Sequence, residues 1–469
     1  MDKYKRLVSN TLLFAISTFS SKALSFFLTS YHTRVLDTAS YGTMNAITAI
    51  AVFLIPIVSL GIANAVIRFG LEKGVSKKQV YTNGVLSVGA GFVILLALVP
   101  LLKHVSFIEN TVGEYWVLLL VYVLVSCLRT LNCQIVRAKE LIRLYAIDGI
   151  LCTATNLLFN ILFLSVFQTG AQGMLLSIIC SDGLSTLFLF CVSKLWRLLD
   201  FKHLNLPLFR KMLAYAVPLI SASIFWSITS VSDQLFVTEM LGEDWNGIYS
   251  ACYKIPTLLT IVATMFTEAW QISAFTDGTK VGREHFFSKV FGMYQSIMFM
   301  SAAGIVWLCR PLMSIFVAKS YYGGWVFIPI LTIATVFASL NNFLNSIYMV
   351  EKRSGLSLIT MALGAIVNLV LNAVLIPIWG VNGAAVATLV SYLVVFIVRV
   401  VNTRALIRID FSLLQMLINL AILVLESMIL IYELPLWALW CTLLTALMIA
   451  LNFSGLLETA GKLLHRHKS

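Results

Sequence analysis

Among the basic residues within or beside long apolar segments of the sequence, where a charge is costly, four are candidates for a binding site. They are Lys22, Arg34, Arg68 and Lys254. A lysine or arginine at the centre of a bilayer costs about 2.5–3.5 kcal/mol on insertion scales, so a cation placed there is a functional candidate. Ammonium and guanidinium groups donate charge-assisted hydrogen bonds to phosphate oxygens. We therefore predict that these residues form a binding site for a phosphate-containing anion.

Two of these cations have a second interpretation. Arg68 lies at the end of its predicted helix, where a long side chain can extend to the cytoplasmic face. Arg34 lies at an outer helix end and can anchor the helix at the membrane interface.

Lys22 lies near mid-span, on a face that also carries Thr18 and Ser25. This helical spacing predicts a polar stripe that faces a wet cavity.

Two acidic residues in apolar segments are candidates for a proton or cation site. Glu268 lies 14 residues beyond Lys254. In a helix this separation is about 21 Å, which excludes a direct ion pair between them. Asp182 has two interpretations: it binds a coupling ion or proton, or it or Asp148 pairs with Arg129 in a structural ion pair.

Apolar segments long enough to cross a bilayer recur along the chain and must position these charges. Of the 469 residues, 59% are hydrophobic and 12% are charged, whereas about a quarter of a soluble domain is charged. A helix needs about 20 apolar residues to cross the hydrocarbon core. This rule gives about 14 spans, at residues 8–31, 43–69, 81–102, 116–136, 145–167, 171–194, 212–239, 247–275, 290–318, 325–350, 355–377, 381–403, 413–432 and 435–456. We predict an all-α polytopic membrane protein.

The basic residues are distributed asymmetrically between the predicted loops. With the N-terminus inside, 25 of the 33 Lys and Arg residues fall on the inner side, Arg399 among them. Short loops rich in Lys and Arg stay in the cytoplasm, so both termini are predicted to be cytoplasmic. The net charge of +12 is therefore a topology signal and implies no nucleic-acid partner. The basic residues that fall on the outer side are Arg34, Lys103, Arg310 and Lys319.

Other chemistries lack their signals in the sequence. The eight cysteines form no CxxC pair, so neither a metal site nor a disulfide framework is predicted. No GxxxxGK[ST] motif occurs, so the chain has no phosphate-binding loop for ATP. We predict no catalytic residue and no cofactor. Energy is expected from an ion gradient, a partner or downhill substrate flow, and coupling to H⁺ or Na⁺ is left open.

Three sets of matching residues indicate an internal repeat. They are Leu36 and Gly42 with Leu241 and Gly247, residues 155–160 with 367–372, and Gly170-x2-Gly173 with Gly380-x2-Gly383. Because each copy has an even number of spans, an axis along the membrane normal should relate the copies, with the substrate path between them. The predicted regions are an N-terminal six-helix lobe (1–196), a cytoplasmic linker (197–211), a C-terminal six-helix lobe (212–408), and two additional helices with a basic tail (409–469).

Each copy of the repeat contains an Asn-x3-Asn motif and a pair of glycines. The asparagine spacing places both amides on one helix face. We predict that they form hydrogen bonds between helices, and contact with a substrate is the alternative. The glycines are expected to allow short turns and close helix approaches.

Several ordered motifs resemble the polysaccharide-biosynthesis flippases of the Wzx type over about residues 1–405. In the first half these are Asn10, Lys22, Thr33-Arg34, Tyr41-Gly42, Pro56, Leu60-Gly61 and Arg68. In the second half they are Tyr215-x2-Pro218, Asp233, Gly247-Ile248-Tyr249, Lys254, Trp325-x3-Pro329, Asn368, Asn372, Pro377 and Gly380-x2-Gly383-Ala384-Ala385. Each motif is weak by itself, but their ordered combination is specific.

The resemblance implies the multidrug/oligosaccharidyl-lipid/polysaccharide exporter fold, in which two six-helix lobes form a V that opens alternately inward and outward. It also implies export of undecaprenyl-pyrophosphate-linked glycans across the cytoplasmic membrane. The expected partners are the lipid-linked oligosaccharide, membrane lipids, and a polysaccharide polymerase or export machinery. Many members of this type have 12 spans, and the extra pair resembles the 14-span branch that includes lipid II flippases.

Other functions remain open beside the flippase. A MATE-type drug antiporter exports organic cations and calls for acidic cavity residues, whereas Lys22 and Lys254 favour an anion. The span count favours a lipid II flippase, but the first helix has only Lys22 in its interior. A membrane glycan polymerase or ligase usually has a long external loop, and the predicted external loops are short.

Asp233 is predicted to contact sugar hydroxyls, to bind a coupling cation or to pair with Lys254.

Overall fold

The structure is a computed structural model that describes residues 26–72, 74–202, 205–264, 266, 280–351, 353–410 and 412–466. These residues form helices and turns, and they contain no strand. The chain divides into two compact units, Met1–Gly247 and Ile248–Ser469. The predicted all-α class is confirmed.

The first unit is a bundle of long helices. α6 packs against α2, α3 and α8, and α7 packs against α8. α9, which the sequence analysis assigns to the C-terminal lobe, packs against α2 and α3. The division into lobes at 1–196 and 212–408 stays a prediction. The helices are α1 (residues 26–35), α2 (Thr38–Val58), α3 (Ile62–Gly70), α4 (Lys77–Lys103), α5 (Ser106–Val112), α6 (Trp116–Ala138), α7 (Ile142–Asn160), α8 (Gln172–Val192) and α9 (Leu206–Leu241).

The second unit begins within α10, which crosses the boundary between the units. α16 packs against α14 and α15, and α12 packs against α14, α17 and α18. The two helices beyond the predicted repeat, α17 and α18, therefore belong to the core of this unit. The helices are α10 (Glu243–Tyr253), α11 (residues 258–264), α12 (Lys280–Trp307), α13 (Cys309–Phe316), a 3₁₀ stretch (Lys319–Phe327), α14 (Ile328–Val350), α15 (Ser354–Trp379), α16 (Val381–Thr403), α17 (Leu413–Ile431) and α18 (Trp437–Arg466).

Helix lengths and composition agree with a polytopic membrane protein. Among the described residues, 10 helical segments are long and apolar enough to cross a bilayer. A shorter apolar helix at Trp437–Phe453 adds to them. Their apolar faces are extensively exposed, as expected where the surrounding medium is lipid.

In the part of the chain that the structure describes, three predicted spans are interrupted. The predicted span 290–318 is divided at Leu308, between α12 and α13. The predicted span 43–69 is two helices, because α2 ends at Val58 and Gly61 has φ +60° before α3 begins. Glycine adopts this left-handed conformation without the steric cost that a Cβ imposes. The predicted span 247–275 is also interrupted, because α10 ends at Tyr253 and residues 254–257 form a turn.

The starts of α2 and α10 meet in the first unit through the repeated glycines. A Cβ on Gly42 would overlap the carbonyl oxygen of Glu243, and a Cβ on Gly247 would overlap the carbonyl oxygen of Thr38. The two glycines are separated by the predicted repeat offset of 205 residues. The side-chain amide of Asn246 also donates to the Gly42 carbonyl at 2.8 Å. The predicted close helix approach is confirmed here.

Candidate functional site

Two of the predicted site residues, Lys22 and Glu268, lie outside the described residues. Their assignments, to anion binding and to a proton or cation site respectively, stay predictions. The other predicted site residues are described in the units to which they belong.

Arg34 lies near the end of α1 and is exposed. The turn at Leu36 and Asp37 follows it, and Asp37 Oδ2 accepts a hydrogen bond from the Ser40 N–H at 3.2 Å at the start of α2. This position suits both of the roles predicted for Arg34, anion binding and anchoring at the interface.

Arg68 connects α3 to the first turns of α9. Its guanidinium lies 5.2 Å from the centroid of the Tyr215 ring, within the range of a cation–π interaction. The Phe69 ring meets the same tyrosine edge-on, with 6.0 Å between centroids. Arg68 is exposed, so its charge remains accessible to solvent or to a ligand while the tyrosine holds its position.

Lys254 begins the turn that interrupts the predicted span 247–275. Its carbonyl oxygen accepts a hydrogen bond from Thr257 Oγ1 at 2.5 Å. The side chain is half-buried, and the described part of the chain contains no ion-pair partner for it.

Asp233 lies on α9 in the first unit and only 3% of it is exposed. Ser227 on the same helix is also buried. Its predicted contacts with sugar, a cation or Lys254 stay predictions.

Arg129 lies between two buried carboxylates of the first unit. Its Nη1 is 3.4 Å from Asp182 Oδ1, and its Nη2 is 3.9 Å from Asp148 Oδ2. Its Nε donates to Ser185 Oγ at 3.0 Å, and that hydroxyl donates to Asp148 at 2.6 Å. Ser126 Oγ donates to the second oxygen of Asp182 at 2.6 Å. The predicted ion pair is confirmed, and it includes both aspartates.

The charges of this cluster do not balance when every group is ionised. Two carboxylates share one guanidinium, and the remaining contacts come from neutral hydroxyls and from the thiols of Cys133 and Cys152, each 3.6 Å from a carboxylate oxygen. A proton or a monovalent cation would restore neutrality. The coupling role of Asp182 stays a prediction.

The first Asn-x3-Asn motif lies on α7 and forms the predicted hydrogen bonds between helices. Asn160 Nδ2 donates to Asn156 Oδ1 at 2.9 Å, and Asn156 Nδ2 donates to Ser181 Oγ on α8 at 3.1 Å. His32 Nε2 lies 2.6 Å from Asn160 Oδ1, which adds α1 to the network.

The second motif, on α15, repeats this arrangement. Asn372 Nδ2 donates to Asn368 Oδ1 at 3.1 Å, and Asn368 Nδ2 donates to Thr388 Oγ1 on α16 at 3.4 Å. Neither asparagine is exposed. The two motifs therefore stabilise equivalent helix pairs.

Arg399 is a buried cation whose contacts the sequence did not indicate. It lies near the inner end of the predicted span 381–403, and only 3% of it is exposed. Its Nε donates to Thr360 Oγ1 at 3.0 Å and its Nη1 donates to the Asn341 carbonyl at 2.7 Å. It thus connects α14, α15 and α16.

Sequence comparison identifies the family. The profile of the family described as "Polysaccharide biosynthesis protein" matches residues 7–271, more than half of the chain. The chain belongs to this family. An uncharacterized membrane protein of Methanocaldococcus jannaschii is 22% identical over 416 residues, which cover 84% of this chain and 97% of that protein.

Solved structures with the same fold are transporters. The lipid II flippase MurJ in an inward closed conformation matches with a TM-score of 0.72 and 13% identity, over 98% of this chain and 100% of that one. An inward-facing multidrug resistance MATE family transporter of the MOP superfamily matches with a TM-score of 0.64 and 14% identity, over 84% of this chain and 98% of that one. This member of the polysaccharide biosynthesis family therefore has the fold that the sequence motifs predict.

Proposed function

We propose that this protein is a flippase that moves undecaprenyl-pyrophosphate-linked oligosaccharides across the cytoplasmic membrane by alternating access. The observation that carries the proposal is the family match over residues 7–271. The fold, which is that of known membrane transporters, supports it. In this proposal both termini lie in the cytoplasm, and a polymerase or export machinery consumes the glycan on the far side.

The cations of the predicted site supply what this substrate needs. A pyrophosphate carries two or more negative charges, and its passage through a low-dielectric interior requires compensating cations. Lys22, Arg34, Arg68 and Lys254 are proposed to provide them, with Asp233 at the sugar. Of these, Arg68 and Lys254 have the geometry described above, one held by an aromatic ring and one in a helix break.

The coupling ion is proposed to be H⁺ or Na⁺. Asp182 and Glu268 are the candidate sites. The charge imbalance among Arg129, Asp148 and Asp182 supports Asp182, because uptake of one cation makes the cluster neutral. No covalent step is part of the proposal.

A lipid II flippase is the second candidate function. The match to the lipid II flippase MurJ covers 98% of this chain, so it extends over α17 and most of α18, whereas the MATE transporter match covers 84%. Both candidate substrates carry a polyprenyl pyrophosphate, so the same cations would serve either one, and the glycan is the difference between them.

A reconstitution experiment separates these functions. The purified protein in liposomes would be supplied in parallel with an undecaprenyl-pyrophosphate-linked oligosaccharide, with lipid II and with an organic cation. We expect the lipid-linked oligosaccharide to move faster than in protein-free liposomes. Faster movement of lipid II alone would replace the proposal with the second candidate, and uptake of the organic cation alone would contradict both.

A further inference from the structure

A cavity of about 880 Å³ lies between α16 and α17, where the repeat joins the two additional helices. Its lining has an apolar part, which includes Phe396 and Val401, and a charged part, which includes Arg404 and Arg408. From this division we infer that the cavity binds a phospholipid with an anionic head group. The lipid would be separate from the transported substrate.

The apolar part of the cavity is suited to acyl chains. Ile397, Val401 and Leu413 are 54%, 61% and 54% exposed, and they form its walls. Phe396 and Met416 form a buried floor, with 2% and 6% exposed. In a membrane protein such side chains at the ends of two spans face hydrocarbon, so an acyl chain covers them without desolvating any polar group.

The charged part lies in the connection between the two helices. Arg404 is exposed, and in the described part of the chain its guanidinium has no hydrogen-bond or ion-pair partner. Arg408 pairs with Asp410, with Nε 3.2 Å from Oδ1. Arg404 thus carries the uncompensated charge of the cavity. Basic pockets between transmembrane helices on the cytoplasmic side are typical sites for anionic lipid head groups.

The connection is held in place by hydrogen bonds to α12. The Asp410 N–H donates to Ser288 Oγ at 2.9 Å, and the Arg408 N–H donates to Glu284 Oε1 at 3.4 Å. Ser412 Oγ accepts from the Gln415 N–H at 3.2 Å and caps α17. Because these contacts hold the backbone of the connection and the start of α17, a lipid would bind a largely preformed site.

Charge identifies the occupant. A phospholipid such as phosphatidylglycerol has one phosphodiester charge, which matches one uncompensated guanidinium. A polyprenyl pyrophosphate has at least two charges, and Asp410 and Glu284 would repel the second. A zwitterionic lipid adds a cation beside Arg404, which lowers its affinity relative to an anionic lipid.

Native mass spectrometry of the purified full chain tests the inference. The protein would be titrated with phosphatidylglycerol and with phosphatidylcholine, and the fraction that retains lipid would give the affinities. We expect tighter binding of phosphatidylglycerol and a roughly tenfold weaker affinity in Arg404→Gln, the loss of about one charge-assisted hydrogen bond. The matched control is Arg143→Gln, an exposed arginine of the first unit, which should bind both lipids like the unaltered protein.

Three results would overturn the inference. They are equal affinity for the two lipids, an Arg404→Gln variant that retains the full preference, and undecaprenyl pyrophosphate that displaces phosphatidylglycerol at lower concentration. A second variant, Val401→Trp, narrows the cavity from an exposed position and should weaken both lipids without changing the preference. Unchanged binding in that variant would place the lipid elsewhere.

Discussion

Arg129 allows two aspartates to lie inside the first unit. Asp148 and Asp182 are 1% and 8% exposed, and the same guanidinium contacts both. Removal of one partner from a buried ion pair leaves an uncompensated charge, which is more costly than the loss of the pair itself. The stability of the first unit therefore depends on this single cation.

We expect Arg129→Gln to destabilise the protein by about 3–5 kcal/mol, because two buried carboxylates lose their cation. The measurement is thermal unfolding of the purified protein in detergent. Arg143→Gln, an exposed arginine, is the matched control and should change little. The double variant Arg129→Gln with Asp182→Asn should recover part of the lost stability, because it leaves one fewer buried carboxylate without a cation. A melting temperature unchanged by Arg129→Gln would contradict the role given to this cluster.

The sequence identified Arg129 and its partners but not Arg399, and the reason is physical. Arg129 has aspartates in neighbouring predicted spans, so a pair is expected from charge alone. Arg399 is held by Thr360 Oγ1 and the Asn341 carbonyl, which are neutral groups with no distinctive signal in the sequence. The role of Lys254 likewise depends on a helix break that a hydropathy pattern does not show.

Among the helices, the contact between α2 and α10 depends on the absence of a side chain. Gly42 and Gly247 each face a carbonyl oxygen of the other helix, and the Thr38 hydroxyl donates to Asp244 beside them. The sequence predicted a close approach from the repeated glycines. It could not show that Gly42 and Gly247 lie against each other. A sequence repeat shows that two positions are equivalent in the two copies, but it does not show that they are in contact.

Gly42→Ala is expected to destabilise the protein by about 1–3 kcal/mol or more, since the added methyl forces the helices apart. Melting temperature in detergent is the readout. The matched control is Gly89→Ala on α4, where an added Cβ meets nothing within 4 Å. Alanine is favoured over glycine by roughly 0.5–1 kcal/mol in a helix interior, so the control should be neutral or stabilised. Equal behaviour of the two variants would rule out the close contact.

Arg310 links the loop between α17 and α18 to the rest of the second unit, in addition to the packing of both helices against α12. Its guanidinium pairs with Glu433 after α17 and lies 3.9 Å from the Trp325 ring centroid and 4.6 Å from the Trp437 ring centroid. A planar guanidinium stacks between two indole rings in a way that an ammonium group cannot.

Arg310→Ala should therefore loosen the loop between α17 and α18 and increase its cleavage by a protease. Each desolvated cation–π contact contributes up to about 2 kcal/mol. Arg310→Lys keeps the charge but loses the stacking, so we expect intermediate protection. Lys319→Gln, an exposed cation of the same unit, is the control and should be cleaved like the unaltered protein. Equal cleavage of all variants would show that the two helices are held by other contacts.

For the molecule as a whole, the all-α class and the family follow from the sequence. Apolar segments and ordered motifs establish them because both are set by local composition and spacing. Helix interruptions at Gly61 and Lys254 and the assignment of α9 to the first unit depend on packing, which single segments do not encode. The inner location of the termini and the pairing of the two lobes rest on charge asymmetry and on the repeat, and they stay predictions.

The most direct test of the central claim is the initial rate at which reconstituted protein moves an undecaprenyl-pyrophosphate-linked oligosaccharide between leaflets. We predict that the protein moves this lipid well above the rate in protein-free liposomes. The rate should be at least about tenfold lower in Lys22→Gln and in Lys254→Gln, because each variant loses a charge-assisted contact with the substrate. The rate in Lys319→Gln should be unchanged. No movement above the protein-free rate would contradict the flippase itself. Full rates in both site variants would leave the flippase standing and contradict its cationic site.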